Sequence, residues 1–151
     1  MGQTYCCSRL HFIWSTKGRE PWIDPEWRDD LYSYMGGILR KKDAVLLCAG
    51  GMPDHVHLYA SVSTKFSYAK LVNAVKSNSS TWVHETFPHL QDFKWQGGYA
   101  VFGVSLSVED QVKEYIGNQE KHHNKNYTFK KELILFLEKH GVDYDERYIF
   151  D

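Results

Sequence analysis

The sequence has little of what marks a secreted, membrane-spanning or repetitive protein. Its three cysteines, at positions 6, 7 and 48, are an odd number without a Cys-x-x-Cys pair, which argues against a disulfide framework and against a cysteine zinc site. No stretch approaches the roughly 18 apolar residues of a membrane span, and the N-terminus lacks the basic start and apolar core of a signal peptide. Internal repeats and linkers are missing as well. We therefore expect one domain, residues 1–151, that resides in the cytoplasm and does not bind membranes.

An excess of charge of one sign is also missing, since the formal net charge is −1. Residues 65–131 nevertheless carry nine Lys against six Asp and Glu, whereas residues 132–151 carry two basic side chains against six acidic ones. Hydrophobic residues make up 42% and aromatics 15%, which excludes a disordered or low-complexity chain and indicates a globular core. The mildly basic middle, with its interspersed aromatics, permits a nucleic-acid-binding surface without requiring one.

Alternating and helical patterns of apolar residues predict eight elements in the order βαββαβαα. The predicted strands are 5–14, 44–49, 55–62 and 95–104, with a hairpin turn at 50–54, and the predicted helices are about 25–42, 67–85 and 107–122, followed by a last helix that Gly141 closes. The first six elements have the βαββαβ order of a ferredoxin-like core, which is an α+β fold, and helices follow it at the C-terminus. Such a core has helices on one face of an antiparallel sheet, so we expect the other face to be free.

The segment from His55 to Val62 is the most informative part of the chain. Strand periodicity places Val56 and Leu58 on one face, the core face, and His55 and His57 together on the other. Same-face neighbours on a strand lie about 6–7 Å apart, so both imidazoles can converge on one divalent cation, or on one phosphate if protonated. An isolated His-x-His is more often a pair of exposed histidines without a role. Here the clean alternation beside a Pro-Asp turn favours a site on the open sheet face.

Two histidines do not complete a metal site, because Mg²⁺ or Mn²⁺ prefers additional oxygen ligands. Tyr115 and Gln119 are one candidate pair, since an i, i+4 spacing places both on one face of the helix predicted over 107–122. On spacing alone, Tyr115 also continues an apolar helix face with Val112 and Ile116, and packing is the commoner role for such a residue. Periodicity therefore leaves the chemical role of Tyr115 open.

Three short runs of the sequence form a more specific pattern. They are Gly-Gly-Met-Pro-Asp-His-Val-His-Leu at 50–58, Trp-Gln-Gly-Gly-Tyr at 95–99 and Val-Lys-Glu-Tyr-Ile-Gly-Asn-Gln-Glu-Lys-His-His at 112–123. Together they resemble the single-tyrosine transposases of bacterial insertion sequences and their REP-associated relatives, which belong to the histidine-hydrophobic-histidine (HUH) nuclease superfamily. The resemblance extends from the strand at 10–17 to the segment at 141–148. His-x-His alone is a weak signal, but its order and distance to Tyr-x-x-x-Gln make the combination specific.

The resemblance implies a role for each of these residues. His55 and His57 would bind a divalent metal, Mg²⁺ or Mn²⁺, with Gln119 as a third protein ligand. Tyr115 would be the nucleophile. The implied activity is that of a DNA transposase, which cleaves and rejoins single-stranded DNA through a 5′-phosphotyrosine during DNA transposition and recombination. The sequence names no base that would remove the phenolic proton.

The resemblance also implies partners. The DNA would be single-stranded, from hairpin-forming ends of a mobile element. The protein would be a homodimer with joined sheets, in which the tyrosine helix of one subunit completes the histidine pair of the other. Lys76, within the mildly basic region 65–131, is a candidate contact to the DNA backbone, although a solvated helix face explains it equally well.

Two other classes of function compete with this interpretation. His55-Val-His57-Leu-Tyr59 approaches the triple-histidine pattern of histidine-triad nucleotide hydrolases, but Tyr59 stands where the third histidine would be. A non-catalytic single-stranded nucleic-acid-binding module would instead use the open sheet, with Tyr59, Trp95 and Tyr99 as a stacking platform. That module needs neither a metal nor Tyr115.

Overall fold

A computed structural model describes residues 2–123 and 126–150 of the protein. Strands and helices follow in the order β1 Ser8–Ser15, α1 Arg28–Arg40, β2 Val45–Met52, β3 His55–Val62, α2 Tyr68–Thr86, β4 Ala100–Gly103, α3 Glu109–Gly117, α4 Gln119–His122 and α5 Phe129–Lys139. Short 3-10 turns occur at Lys17–Arg19, Pro88–Leu90, Leu106–Val108 and Glu146–Tyr148. In the described ranges, no helix has the length and apolar character that crossing a membrane requires.

The four strands form one antiparallel sheet in the order β2-β3-β1-β4. This arrangement, with α1 and α2 in the connections, is the ferredoxin-like α+β architecture that the sequence predicts. One face of the sheet packs against α1 and α2 through a large apolar core, whose central side chains are Phe12, Trp14, Leu31, Met35, Val56, Leu58, Leu71 and Val75. Full burial of each such side chain contributes roughly 1.5–3 kcal/mol, so this face carries most of the hydrophobic stabilisation.

The opposite face of the sheet is not free, and that expectation is wrong. A second apolar cluster covers it, in which Phe129, Leu133 and Leu137 of α5 pack against Ile13 of β1 and Phe102 of β4. The physical reason is the apolar stripe of α5, which must be buried against some surface. The sheet face that carries the histidines offers that surface.

Several element boundaries differ from the predicted ones. β1 begins at Ser8, and β2 continues through Met52, so the hairpin turn is shorter than 50–54. β4 is confined to Ala100–Gly103, and Trp95 forms only an isolated bridge to Thr16. The helix predicted over 107–122 is interrupted at Asn118, whose backbone angles of φ −110° and ψ 28° are not helical. A glycine just before this position lowers the cost of leaving the helix there.

Gly50 lets α3 approach the sheet closely. A Cβ atom built at Gly50 would lie 2.1 Å from the carbonyl oxygen of Ile116, which is backbone and cannot move aside alone. Glycine in a strand commonly marks such close approach of another backbone. The glycine that the sequence assigns to a turn is therefore the contact point between β2 and the helix that carries Tyr115.

Replacement of Gly50 by Ala should displace α3 from β2. We expect the free energy of unfolding to fall by about 1–3 kcal/mol, the usual cost of overpacking a well-packed contact. Urea unfolding followed by circular dichroism measures it. Gly37→Ala is the matched control, because a Cβ there meets nothing within 4 Å and the position lies in α1. This control should be neutral or stabilising by up to about 1 kcal/mol. Equal midpoints for Gly50→Ala and wild type would contradict the close contact.

Candidate active site

His55 and His57 lie side by side on β3 and point away from the main core. Their ring centroids are 5.2 Å apart, and both side chains are fully buried. The alternation along the strand is therefore as predicted, but the histidines are not on an open surface. α5 covers them, and their environment is set by the groups that this helix and its neighbours contribute.

Glu132 of α5 is the centre of this environment. Its Oε1 lies 2.9 Å from Nε2 of His57 and 3.3 Å from Nε2 of His55, and its Oε2 lies 3.1 Å from Nε2 of His123. The same Oε2 accepts the hydrogen bond of the Tyr115 hydroxyl. A fully buried carboxylate is costly unless it is paired and hydrogen-bonded, and here both conditions are met.

Gln119 joins the same cluster from the start of α4. Its Oε1 lies 3.1 Å from Nε2 of His55 and also 3.1 Å from Nε2 of His123. The expected single helix for Tyr115 and Gln119 is wrong, because α3 ends at Gly117. The two side chains nevertheless reach the same cluster, since Gln119 folds back and its amide lies 3.4 Å from the carbonyl oxygen of Tyr115.

Hydrogen-bond partners at Nδ1 orient the rings of His55 and His57. Nδ1 of His55 donates to Oδ1 of Asp54 at 2.7 Å, and Nδ1 of His57 lies 2.7 Å from Nε2 of His11 on β1. Such partners hold each ring so that its Nε2 faces the centre of the site. The site therefore contains one ring nitrogen from each histidine, one carboxylate and one phenol within a single buried cluster.

The charges in the cluster shift the pKa of each group. Burial disfavours the charged form of Glu132, but hydrogen bonds from His123, His55 and His57 outweigh it and hold the pKa of this carboxyl far below its usual range. Burial likewise opposes protonation of His55, yet Asp54 and Glu132 raise its pKa to about 9. His57 is different, because burial dominates and lowers its pKa. Within this pair the pKa shifts favour an ionised carboxylate on Glu132 and an imidazolium on His55.

Tyr115 is held as a neutral phenol. Burial and the adjacent negative charge of Glu132 both raise its pKa well above the usual value for tyrosine. Phenolate formation is therefore disfavoured in this arrangement. A reaction that uses the oxygen as a nucleophile has to remove this proton.

The donor set fits a divalent metal. One ligand atom each from His55, His57 and Glu132 lie within 4.8 Å of one another, and all three residues are buried. Two imidazoles and a carboxylate suit Mn²⁺ and other borderline cations better than an all-oxygen site would, whereas Mg²⁺ favours oxygen ligands. The sequence proposes Gln119 as the third ligand. The structure adds Glu132 to the candidates and keeps Gln119 within hydrogen-bond distance of His55.

Three residues of this cluster were missed from sequence: His11, His123 and Glu132. Glu132 had a detectable signal, because it interrupts the apolar stripe of Phe129 and Leu133 on the core face of a helix. An acidic residue at such a position indicates a buried partner. His11 alternates with Leu10 and Phe12 and so occupies the histidine face, but only the β1–β3 register brings it beside His57.

Lys76 lies on α2, away from the histidine cluster. Its ammonium donates to the carbonyl oxygens of Gln96 at 2.8 Å and Gly98 at 2.7 Å. It also lies over the rings of Trp14 and Tyr99, at 5.6 and 5.9 Å. Lys76 therefore secures the 95–99 loop, and its contact with DNA stays a prediction.

Two of the three residues of the expected aromatic stacking platform are buried, whereas the third, Tyr99, is 38% exposed. Tyr59 is fully buried, and its hydroxyl donates to Glu109 at 2.7 Å. Trp95 is also buried, and its Nε1 donates to Oγ of Ser79 at 3.0 Å. The rings of Tyr59 and Trp95 are thus unavailable for stacking on bases, and of the three residues Tyr99 keeps an exposed ring.

Comparison with known proteins gives consistent matches. A family model described as IS200-like transposase matches residues 4–119. The ISDra2 transposase TnpA of Deinococcus radiodurans is 28% identical over 114 residues, which are 72% of this chain and 81% of the relative. The matched family segment ends before α5, so His123 and Glu132 lie outside it.

Solved structures agree with this comparison. A crystal structure from Deinococcus radiodurans R1, described as that of a transposase, has a TM-score of 0.64 and 30% identity, and the match covers 79% of this chain and 96% of that one. A REP-associated tyrosine transposase bound to a REP hairpin has a TM-score of 0.55 and 13% identity, with 77% and 68% of the two chains covered. At that identity, the second likeness concerns the fold alone.

Metal binding should be visible as thermal stabilisation. Mn²⁺ at about a hundred times its dissociation constant should stabilise the wild type by about 2.7 kcal/mol relative to an EDTA sample. His57→Ala and Glu132→Gln should each lose most of this shift, measured against their own EDTA baselines by differential scanning fluorimetry. Glu138→Gln, an exposed position on the same helix, is the matched control and should keep it. A full shift in Glu132→Gln together with a lost shift in Gln119→Ala would identify Gln119, not Glu132, as the third ligand.

Proposed function

The chain belongs to the IS200-like transposase family, and we propose that this transposase cleaves and rejoins single-stranded DNA through a covalent bond between Tyr115 and a 5′ phosphate. One observation carries the proposal: the Tyr115 hydroxyl donates to the same buried carboxylate that contacts His55 and His57. A nucleophile beside a candidate metal site suits phosphoryl transfer, because the metal can stabilise the charge that develops on the phosphate as the nucleophile attacks. The reaction would take place in the cytoplasm.

The covalent step exchanges one phosphoester bond for another. The Tyr115 oxygen forms a bond to phosphorus, and the bond from phosphorus to the 3′ oxygen of the preceding nucleotide breaks. The attacking hydroxyl loses its proton to solvent as the bond forms, and the departing 3′ oxygen gains a proton from solvent. Glu132, which accepts the phenolic hydrogen bond, orients the attacking oxygen. The products are a 5′-phosphotyrosine and a free 3′-hydroxyl. A second 3′-hydroxyl reverses the exchange and rejoins DNA without ATP, because the phosphotyrosine conserves the bond energy.

The metal has a defined place in this proposal. His55 and His57, with Glu132 or Gln119, would hold Mg²⁺ or Mn²⁺, which when bound withdraws charge from the scissile phosphate and stabilises the departing oxygen. Asp54 and His11 serve the site by orienting the two imidazoles. These two residues are positioning residues, since they touch neither the phosphate nor the nucleophile.

The DNA would be a single strand from hairpin-forming ends, as the resemblance implies. The REP-associated transposase with the similar fold is bound to a REP hairpin, which supports a hairpin as the class of substrate. Lys76 and the loop it secures, residues 95–99, would contribute to the surface that contacts the DNA backbone.

We further propose that each subunit of the expected homodimer uses its own tyrosine. Within one chain, Tyr115 reaches Glu132 and lies with its ring centroid 5.9 Å from that of His57. The contacts that hold the start of α3 against the sheet are also within one chain. Glu109 forms an ion pair with Arg9 and accepts a hydrogen bond from the Tyr59 hydroxyl. A dimer with joined sheets would then contain two complete sites, and the subunits would not exchange their α3 helices.

The nucleophile can be tested by trapping the covalent product. Wild-type protein with Mn²⁺ and labelled single-stranded DNA from the flanks of its own gene should form an adduct that survives a denaturing gel. Tyr115→Phe should form none while its DNA affinity, measured by fluorescence anisotropy, is unchanged. Tyr148→Phe is the matched control, because Tyr148 is 75% exposed and outside the cluster. Glu132→Gln should slow adduct formation by roughly ten- to a hundredfold, because it removes a candidate metal ligand and the carboxylate that orients the Tyr115 hydroxyl. Adduct formation by Tyr115→Phe would overturn the assignment of Tyr115 as the nucleophile. So would the absence of an adduct between the wild-type protein and DNA that it binds.

Mixing two inactive variants distinguishes the two ways of completing the site. We expect an equimolar mixture of Tyr115→Phe and His57→Ala, exchanged by dilution and reconcentration, to remain inactive, because no subunit then has both groups. If α3 were exchanged between subunits, half of the mixed dimers' sites would pair an intact tyrosine with intact histidines. Recovery of adduct in the mixture would therefore show completion by the partner, with each variant alone as the control.

A further inference from the structure

An open cleft of about 490 Å³ lies between β4, α3 and α5, on the outer side of Tyr115. Its walls are largely apolar and aromatic, and include Phe102, Val104, Val108, Tyr115, Leu135 and His140. Leu135 is 53% exposed and Val108 is 38% exposed, so the cleft leaves apolar side chains in contact with water. Apolar concavities of about 300–1,000 Å³ with a few polar groups are typical of sites for small, flat ligands.

The aromatic rings of the cleft form one packed wall, in which Phe102 is buried and His140 keeps an exposed ring. The rings of Phe102 and His140 stack with centroids 4.4 Å apart, and those of Phe102 and Phe136 stack at 5.6 Å. Tyr115 meets Phe136 edge to face at 5.6 Å. Lys139 also lines the cleft, so a cation stands beside the aromatic surface. Aromatic faces with an adjacent cation suit a base with its phosphate attached.

Tyr115 connects this cleft with the active site, because its ring lines the cleft while its hydroxyl donates to Glu132. A strand whose phosphate lies at that hydroxyl therefore has its neighbouring base beside the cleft. We propose that the cleft binds one unstacked nucleobase of the DNA strand next to the phosphate that Tyr115 attacks. The inference rests on the proposed function. It assigns to α5, which lies outside the matched family segment, a role in holding the substrate.

The size of the cleft favours a base over a second protein chain. Thirteen residues line it, whereas a stable protein interface uses about 20–30 residues on each side. One base on aromatic side chains gains enough from stacking to strengthen binding by roughly five- to a hundredfold. The preference should also be tolerant of base identity, since stacking uses the ring face that every base has.

A pair of probes with equal charge tests the proposal. One is a fluorescein-labelled oligothymidylate of about twelve nucleotides, and the other is an abasic strand of the same length. In fluorescence anisotropy without metal, wild-type protein should bind the oligothymidylate about tenfold more tightly than the abasic strand. Leu135→Ser and His140→Ala should lose most of this preference while keeping their affinity for the abasic strand. Leu106→Ser, 55% exposed and not a cleft residue, is the matched control and should keep it.

A photocrosslink locates the base directly. An oligothymidylate with one 5-iodouracil should crosslink to the α5 peptide that contains Phe136, as mapped by mass spectrometry, and Leu135→Ser should weaken the crosslink. An unchanged preference in Leu135→Ser and His140→Ala, or a crosslink elsewhere, would overturn the inference. Equal affinity of the wild type for the oligothymidylate and the abasic strand would also overturn the inference. If the only change in Leu135→Ser were a lower sedimentation coefficient, the cleft would be a contact between copies of this chain, and the inference would be overturned as well. Formation of the Tyr115 adduct alongside any of these results would leave the proposed function standing.

Discussion

The buried carboxylate of Glu132 is the interaction on which the arrangement of this site depends. It joins three elements, because it contacts the histidines of β3, the hydroxyl of Tyr115 on α3, and its own helix α5. Apolar side chains give α5 its affinity for the sheet, but apolar contact alone tolerates shifts in register. A buried charge does not, since an unpaired carboxylate costs several kcal/mol. Glu132 therefore determines how α5 docks, and docking in turn buries the histidines.

The protons of the cluster must be redistributed when a metal binds. Ligation needs the Nε2 lone pairs of both histidines, but the raised pKa of His55, about 9, means that this ring is protonated at neutral pH. His57 is neutral, and it can free its Nε2 by carrying its proton on Nδ1, where His11 is the partner at 2.7 Å. Burial and the neighbouring His57 lower the pKa of His11, so His11 can accept that hydrogen bond as a neutral ring. The pair His11 and His57 thus adapts by a change of tautomer, whereas His55 must release a proton.

The parts of the structure that were predictable from sequence are those that depend on local periodicity. The alternation of His55 to Val62 identified both the strand and the shared side of the two histidines, and turn and helix patterns identified the ferredoxin-like core. Glu132 could not be connected with His57 in this way, because the two are separated by 75 positions and meet only through tertiary packing. The close approach at Gly50 was invisible for the same reason, since a glycine in a turn and a glycine under a helix look alike in sequence.

Net charge was the weakest guide to function, and the structure explains why. The acidic excess of residues 132–151 would oppose DNA binding if all of those carboxylates faced solvent unpaired. Glu132 is instead buried among histidines, Asp145 pairs with Arg147 at 2.7 Å, and Glu146 pairs with Lys130 at 3.2 Å. Three of the six carboxylates in this segment thus have a partner at short distance, and salt screens the field of the exposed carboxylates beyond about 10 Å. A chain of nearly zero net charge can therefore still present cations to phosphate groups, as Lys139 does at the end of the helix that carries Glu132.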